Sequence, residues 1–138
     1  MFVKRDIDQL LRDRGIQPSA QRMAVAEYVL ATDEHPSADR VFREVKRRFP
    51  YISRATVYNT LNLFVEKGLL KSLNLAEESV VFDPRTDTHH HFIDEATGRI
   101  HDIPWEQVQV CNIEGLRGYE IRDYQVVMRG VRKKKVHG

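Results

Sequence analysis

Three consecutive histidines lie between well-spaced carboxylates in the stretch VVFDPRTDTHHHFIDEATGRIHD, which runs from Val80 to Asp102. His89 and His91 are two residues apart, so on a strand they share one face while His90 points away. Two imidazoles on one strand face can chelate a metal. Gly98 in EATGR reads as a turn, which lets RIHDI return antiparallel and carry Asp102 back toward the histidines. Asp83, just upstream, is near enough in sequence to join the same pocket. The candidate donors are therefore Asp83, His89, His91 and Asp102, nitrogen and oxygen without sulfur, a set suited to Fe(II), Mn(II) or Zn(II). An exposed polar hairpin carries the same spacing with no metal, and spacing alone does not separate the two readings.

The rest of the chain has to hold these groups in place. Its 138 residues suit one domain or two small ones. The apolar fraction, 41%, is enough for a core. No run of about 18 apolar residues offers a membrane span, and MFVKRDIDQLL is too charged for a signal peptide, so a cytoplasmic protein away from membranes is expected. Cys111 is the single cysteine, which excludes an intramolecular disulfide and a Cys-x-x-Cys zinc knuckle. The net charge of +2 is unevenly spread: residues 1–83 hold thirteen basic and twelve acidic side chains, 84–128 four and eight, and 129–138 five and none. The basic tail, RGVRKKKVHG, is read as solvated, with nucleic-acid contact as the alternative.

Residues 1–83 read as four short helices and a hairpin. Val3, Ile7, Leu10 and Leu11 fall at helical spacing, and Gly15 stops that helix. Ser19 is an N-cap candidate for a second helix with Met23, Ala26, Val29 and Leu30 as its buried stripe. Ser37 in HPSADRVF caps a third, with stripe Val41, Phe42, Val45 and Phe49 before Pro50. Ser53 caps a fourth, in which Val57, Leu61 and Phe64 define one face and Gly68 supplies the left-handed terminator. LLKSLNLAEESVVF then gives two strands around a turn near Glu77 and Glu78.

Helix, turn, helix and a two-stranded wing is the winged-helix arrangement, whose last helix enters the DNA major groove. The first turns of that helix offer Ser53, Arg54, Ala55, Thr56, Tyr58 and Asn59: a hydroxyl cap and free backbone N–H groups for phosphate, and side chains for backbone or base edges. Arg22 can hold phosphate from the second helix. An ordinary helical bundle with a polar outer face is the alternative.

GIQPSAQRMAV, HPSADRVF and ISRATVYNTLNLFVEKGLL, taken with the three histidines, closely resemble the ferric uptake regulator family of metal-dependent repressors over nearly the whole chain. The resemblance implies an α+β fold, with a winged-helix DNA-binding domain (1–83) and a small α/β dimerisation and metal-sensing domain (84–138). It implies a homodimer on palindromic operator DNA, and a regulatory metal held by His35, Asp83, His89, His91 and Asp102. His35, from HPSAD, rests on the resemblance alone. Aspartate at 102 resembles the peroxide-sensing branch, where iron-uptake members usually carry glutamate. That branch implies Fe(II)-catalysed oxidation of His35 or His89, with Mn(II) supporting repression without sensing; Zn(II) is an expected occupant in purified protein.

Three positions depart from the family. Asp94 and Thr97 stand where the first cysteine pair of a structural zinc is usual, so no structural zinc held by four cysteines is expected. Tyr124 replaces a histidine of an additional metal site. HHHF and GYEIRDYQVVMR also match a haem-responsive branch of iron regulators, the alternative within the family. In residues 84–138, HHHFI and RIHDI are expected to form a hairpin, IPWEQVQVCNI a short helix or turn, and Tyr119 to Met128 a strand with a bulge near Asp123 and Tyr124. Trp105 and Cys111 are read as core or interface residues. A metallohydrolase is the rival from another class, but it requires a general base that is not a ligand. No H-E-x-x-H supplies one, and His101 is the only spare candidate.

Overall fold

A computed structural model describes residues 4–76 and 79–133. Val3, the turn at Glu77 and Glu78, and the last five residues of the basic tail lie outside them. The chain divides into two compact units, Met1–Thr86 and Asp87–Gly138.

The first unit is built from α1 (Lys4–Asp13), α2 (Ala20–Ala31), α3 (Ala38–Lys46) and α4 (Arg54–Glu66), followed by β1 (Lys71–Ala76) and β2 (Ser79–Asp83). Three of the helices begin at serine caps. Ser19, Ser37 and Ser53 each accept a hydrogen bond from the backbone N–H three residues on, at Arg22, Arg40 and Thr56. Each cap satisfies one of the N–H groups that a helix start leaves without an intrahelical partner. The apolar stripes meet in a single core. Ile7, Leu11, Val25, Val29, Val41, Val45, Val57, Leu61 and Phe64 are each no more than 2% exposed. Burial of one such side chain stabilises the fold by about 1.5–3 kcal/mol, so this cluster dominates the unit. Leu70 and Phe82 join it from the wing side.

At the end of α4, Gly68 takes φ +78, a left-handed turn that a β-carbon would disfavour. Its carbonyl accepts from Arg14 Nη1 at 2.6 Å, tying the wing to the α1–α2 turn. β1 and β2 pair antiparallel. The loop before α3 lies along β2: Phe82 N–H donates to the Pro36 carbonyl at 3.0 Å, and Ser37 bridges Val81.

The second unit holds β3 (His90–Asp94), β4 (Ile100–Ile103), a 3-10 turn (Trp105–Gln107) and β5 (Val127–Gly130). The sheet order is β4-β3-β5, with β3 antiparallel to β4 and parallel to β5. Gly98, at φ +76, closes the β3–β4 hairpin, its N–H donating to the Asp94 carbonyl at 2.7 Å. The architecture is α+β, with a winged-helix first unit.

One strand is much shorter than its sequence pattern. Tyr119 to Val126 carry no strand; only Val127–Gly130 pair, with His91 to Asp94 of β3. β3 begins at His90 and offers no further edge to residues before Val126, and among the described residues no ladder runs through Asp123 or Tyr124 in which to place a bulge. Cys111 is exposed rather than part of a core, whereas Trp105 is half-buried and stacked on His90.

Candidate metal centre and nucleic-acid face

The metal-donor residues fall into two groups, one in each unit. In the first, the antiparallel lie of the Pro36–Ser37 loop on β2 sets His35 opposite Asp83. His35 Nε2 is 3.2 Å from Asp83 Oδ2, and both side chains are buried. His35 also has φ +52, a left-handed conformation costing a non-glycine residue about 1–2 kcal/mol. The backbone accepts that cost where the ring is turned toward a carboxylate. Asp83 is itself held, since its Oδ1 accepts from Arg85 N–H at 2.9 Å.

In the second group, His91 and Asp102 are direct cross-strand partners on β3 and β4. His89 stands just before β3 on the same side, its ring centroid 4.6 Å from that of His91. His89 Nε2 and His91 Nε2 lie 3.2 and 3.5 Å from the same atom, Asp102 Oδ1. The opposite ring nitrogens are anchored: His89 Nδ1 donates to the Asp87 carbonyl and His91 Nδ1 to Gln125 Oε1, each at 2.8 Å. A carbonyl oxygen only accepts, so Nδ1 carries the proton on both rings. The two Nε2 atoms then converge on one carboxylate oxygen, a cluster of donor atoms that a divalent cation would complete. Anchored Nδ1–H groups behind converging Nε2 atoms are the usual second layer of a histidine metal site. The nitrogen and carboxylate donors fit a divalent first-row cation.

His90 does the opposite job. It is wholly buried, stacks on Trp105 at 4.5 Å between centroids, and accepts from Val126 N–H through Nδ1 at 2.9 Å. With all three histidines buried, the exposed-hairpin alternative does not describe this stretch. His101, the spare base of the hydrolase alternative, pairs across the strand with Phe92.

Position 94, where the family resemblance places a cysteine, carries a buried aspartate. Asp94 Oδ1 accepts from Ala96 N–H at 2.9 Å, and Thr97 Oγ1 from Arg99 N–H at 3.2 Å. The turn is closed by side-chain oxygens on backbone N–H groups.

The candidate DNA-contacting residues cluster on α4. Ser53, Arg54, Ala55, Tyr58 and Asn59 are exposed, while Val57, Leu61 and Phe64 on the other face are buried. Thr56 is half-buried, its hydroxyl 2.8 Å from Ser53 Oγ. Arg22, on α2, is half-buried and donates through Nη1 to the Gln17 carbonyl at 2.8 Å. A cavity of about 370 Å³ lies among Ser19, Arg22, Thr56 and Asn59. Two residues that pattern reading passed over enter these sites. Gln125 orients His91, and Asp39 on α3 ion-pairs with Arg54 and accepts from Tyr58 Oη at 3.1 Å. Asp39 lies within HPSADRVF and Gln125 within GYEIRDYQVVMR, but nothing local marks either one; each is brought in by a contact between distant elements.

The sequence model of the ferric uptake regulator family matches residues 13–129. The chain belongs to the ferric uptake regulator family. A peroxide-responsive repressor, PerR, of Staphylococcus epidermidis is 31% identical over 125 residues, spanning 89% of this chain and 83% of the relative. Among solved structures, a zinc-bound manganese uptake regulator superposes with TM-score 0.69 at 23% identity, over 92% of this chain and 98% of that one, a likeness of fold. The Campylobacter jejuni peroxide stress regulator gives TM-score 0.65 at 25% identity, over 99% and 100%. The chain is thus a metal-responsive regulator of this family, and its similar proteins include the peroxide-responsive branch. These names describe regulators rather than enzymes. Among the described residues, no helix is long and apolar enough to cross a membrane.

Proposed function

We propose that this protein is a homodimeric, metal-dependent repressor that senses peroxide through its own histidines. His35 and Asp83 in the first unit, with His89, His91 and Asp102 in the second, jointly hold one Fe(II) or Mn(II) ion. The observation that carries the reading is the convergence of His89 Nε2 and His91 Nε2 on Asp102 Oδ1 with both Nδ1 atoms already committed. Such a group is incomplete by itself: two nitrogens and one carboxylate leave positions for further donors, which the resemblance assigns to His35 and Asp83.

Shared ligation couples metal to shape. A cation bound by both units favours the relative orientation in which all five donors reach it, by as much as its affinity differs between orientations. In that orientation the two α4 helices of a dimer read the two halves of a near-palindrome. Leu116, Tyr119 and Ile121 are exposed apolar side chains of the second unit suited to covering by the second copy.

When bound, Fe(II) supplies the electrons that convert peroxide into a local oxidant. The chain's part is to present imidazole carbon atoms beside it, at His35 or His89, so that one ring retains an oxygen atom and ceases to be a good ligand. Mn(II) supports repression without this chemistry. The haem-responsive alternative is carried by the match of HHHF and GYEIRDYQVVMR, and within that stretch His90, the middle imidazole, is buried and stacked on Trp105.

The test compares Fe(II)-loaded and Mn(II)-loaded protein after peroxide treatment, by peptide mass spectrometry and operator binding. A gain of one oxygen on His35 or His89 with loss of DNA binding, in the Fe(II) form alone, is the expected result. Unmodified histidines, with DNA binding lost only on adding haem, would replace this reading by the haem-responsive one.

A further inference from the structure

The reading end of α4 is not held by α4 alone. Asp39, in the first turn of α3, reaches across to the two side chains on α4 best suited to contacting bases. Arg54 and Tyr58 are one helical turn apart and so share a face. Arg54 Nη1 donates to Asp39 Oδ1, and Tyr58 Oη donates to the same oxygen at 3.1 Å. The guanidinium also lies over the ring of Phe42 of α3, its carbon 4.7 Å from the ring centroid. A carboxylate with no structural duty would be poorly placed here. It sits on a face that must approach polyanionic DNA, where an acidic side chain repels phosphate.

We propose that Asp39 is a specificity-determining residue, a buttress that aims Arg54 at a base edge and discourages its use on phosphate. The proposal rests on the reading of α4 as the recognition helix. Arg has five N–H donors in a rigid fork, and the contact with Asp39 engages one nitrogen, leaving others to form the bidentate pair that guanine O6 and N7 accept. The cation–π contact with Phe42 and the bond to Asp39 remove rotamer freedom that an arginine on a bare helix would lose on binding. The exposed ion pair adds little to the stability of the fold, since both side chains are well exposed: 59% for Arg54 and 61% for Asp39. Its effect falls on recognition. On non-cognate DNA, where phosphate contacts supply nearly all the affinity, Asp39 both repels the backbone and withholds one cation.

The test selects duplexes from a random-sequence library with Mn(II)-loaded wild-type protein. Affinities for the selected duplex and for a scrambled duplex of equal composition are then measured across a salt series. Asp39→Asn keeps the shape and an acceptor for Tyr58 but removes the charge. It is expected to lower the ratio of selected to scrambled affinity by about tenfold, since one good bidentate contact discriminates by about 1–3 kcal/mol. It should also steepen the salt dependence on scrambled DNA by about one counterion, and relax the library preference at one base pair per half-site. Arg54→Lys, which keeps the charge but loses the fork, should relax the same base pair. In an Arg54→Gln background, Asp39→Asn should change nothing further at that base pair. An unchanged preference and ratio in Asp39→Asn overturns the proposal, and so does an effect that persists without Arg54, which would make it general charge repulsion. Failure of the wild-type protein to select any sequence would instead overturn the reading of α4 as a DNA-reading helix.

Discussion

His89, His90 and His91 are identical in chemistry and are separated in role by what holds each Nδ1. Asp87 and Gln125 accept hydrogen bonds from the outer two, turning both Nε2 atoms toward Asp102, while the Val126 N–H donates to the middle one. Substituting the middle ring is therefore expected to affect the fold rather than the metal. His90→Ala should destabilise the protein by about 2 kcal/mol or more in denaturant titration, through the cavity left under Trp105, with Mn(II) stoichiometry unchanged. Gln125→Ala should behave in the opposite way. Freeing the His91 ring is expected to weaken metal affinity by about 10–100-fold, the usual effect of losing such a partner, with little change in denaturation midpoint. Isothermal titration with Mn(II) separates the two. Equal metal affinity in Gln125→Ala and wild type would show that His91 is oriented by its strand alone.

At the scale of elements, the β3–β4 hairpin and α4 show two ways of fixing a functional surface. The hairpin turn uses the Asp94 carboxylate and the Thr97 hydroxyl to satisfy N–H groups. Exhaustive chelation is expected to leave far-UV circular dichroism and the dimer mass intact, and loss of the dimer would reveal another structural metal. Asp94→Ala, which removes the acceptor of the Ala96 N–H, should cost about 0.5–1.5 kcal/mol. Asp94→Asn, which keeps the acceptor, should recover most of it. In α4 the buried face is set by Val57, Leu61 and Phe64, so the opposite face is free to vary in chemistry. Tyr58→Ala is expected to weaken operator binding without altering metal content. A fall in metal content would mean that α4 and the donor groups are not independent.

For the whole molecule, the two units carry complementary fragments of one proposed function: a DNA-reading face and two donors in the first, three donors and the dimer surface in the second. Operator affinity should require metal, fall steeply with rising salt as phosphate counterions are displaced, and be lost on replacing any one of His35, His89 or His91. Gel-shift titration at several salt concentrations, with and without Mn(II), checks all three expectations. Metal-free protein binding as tightly as loaded protein would sever the coupling. Much of this was legible in the sequence because it depends on local periodicity and capping. Ser19, Ser37 and Ser53 announce three helices, the alternation around His89 and His91 puts two imidazoles on one side, and Gly98 marks the return that sets Asp102 opposite His91. His35 is a candidate ligand on family resemblance alone, since nothing local marks a histidine before a capped helix. What tertiary structure alone decided involves partners far apart in the chain. Asp39 reaches Arg54 and Tyr58 because α3 packs on α4, and Gln125 reaches His91 because β5 lies parallel to β3. The alternation of Tyr119 to Met128 suggested a longer strand, but a strand exists only where another backbone edge runs beside it, and the edge offered by β3 ends at His90.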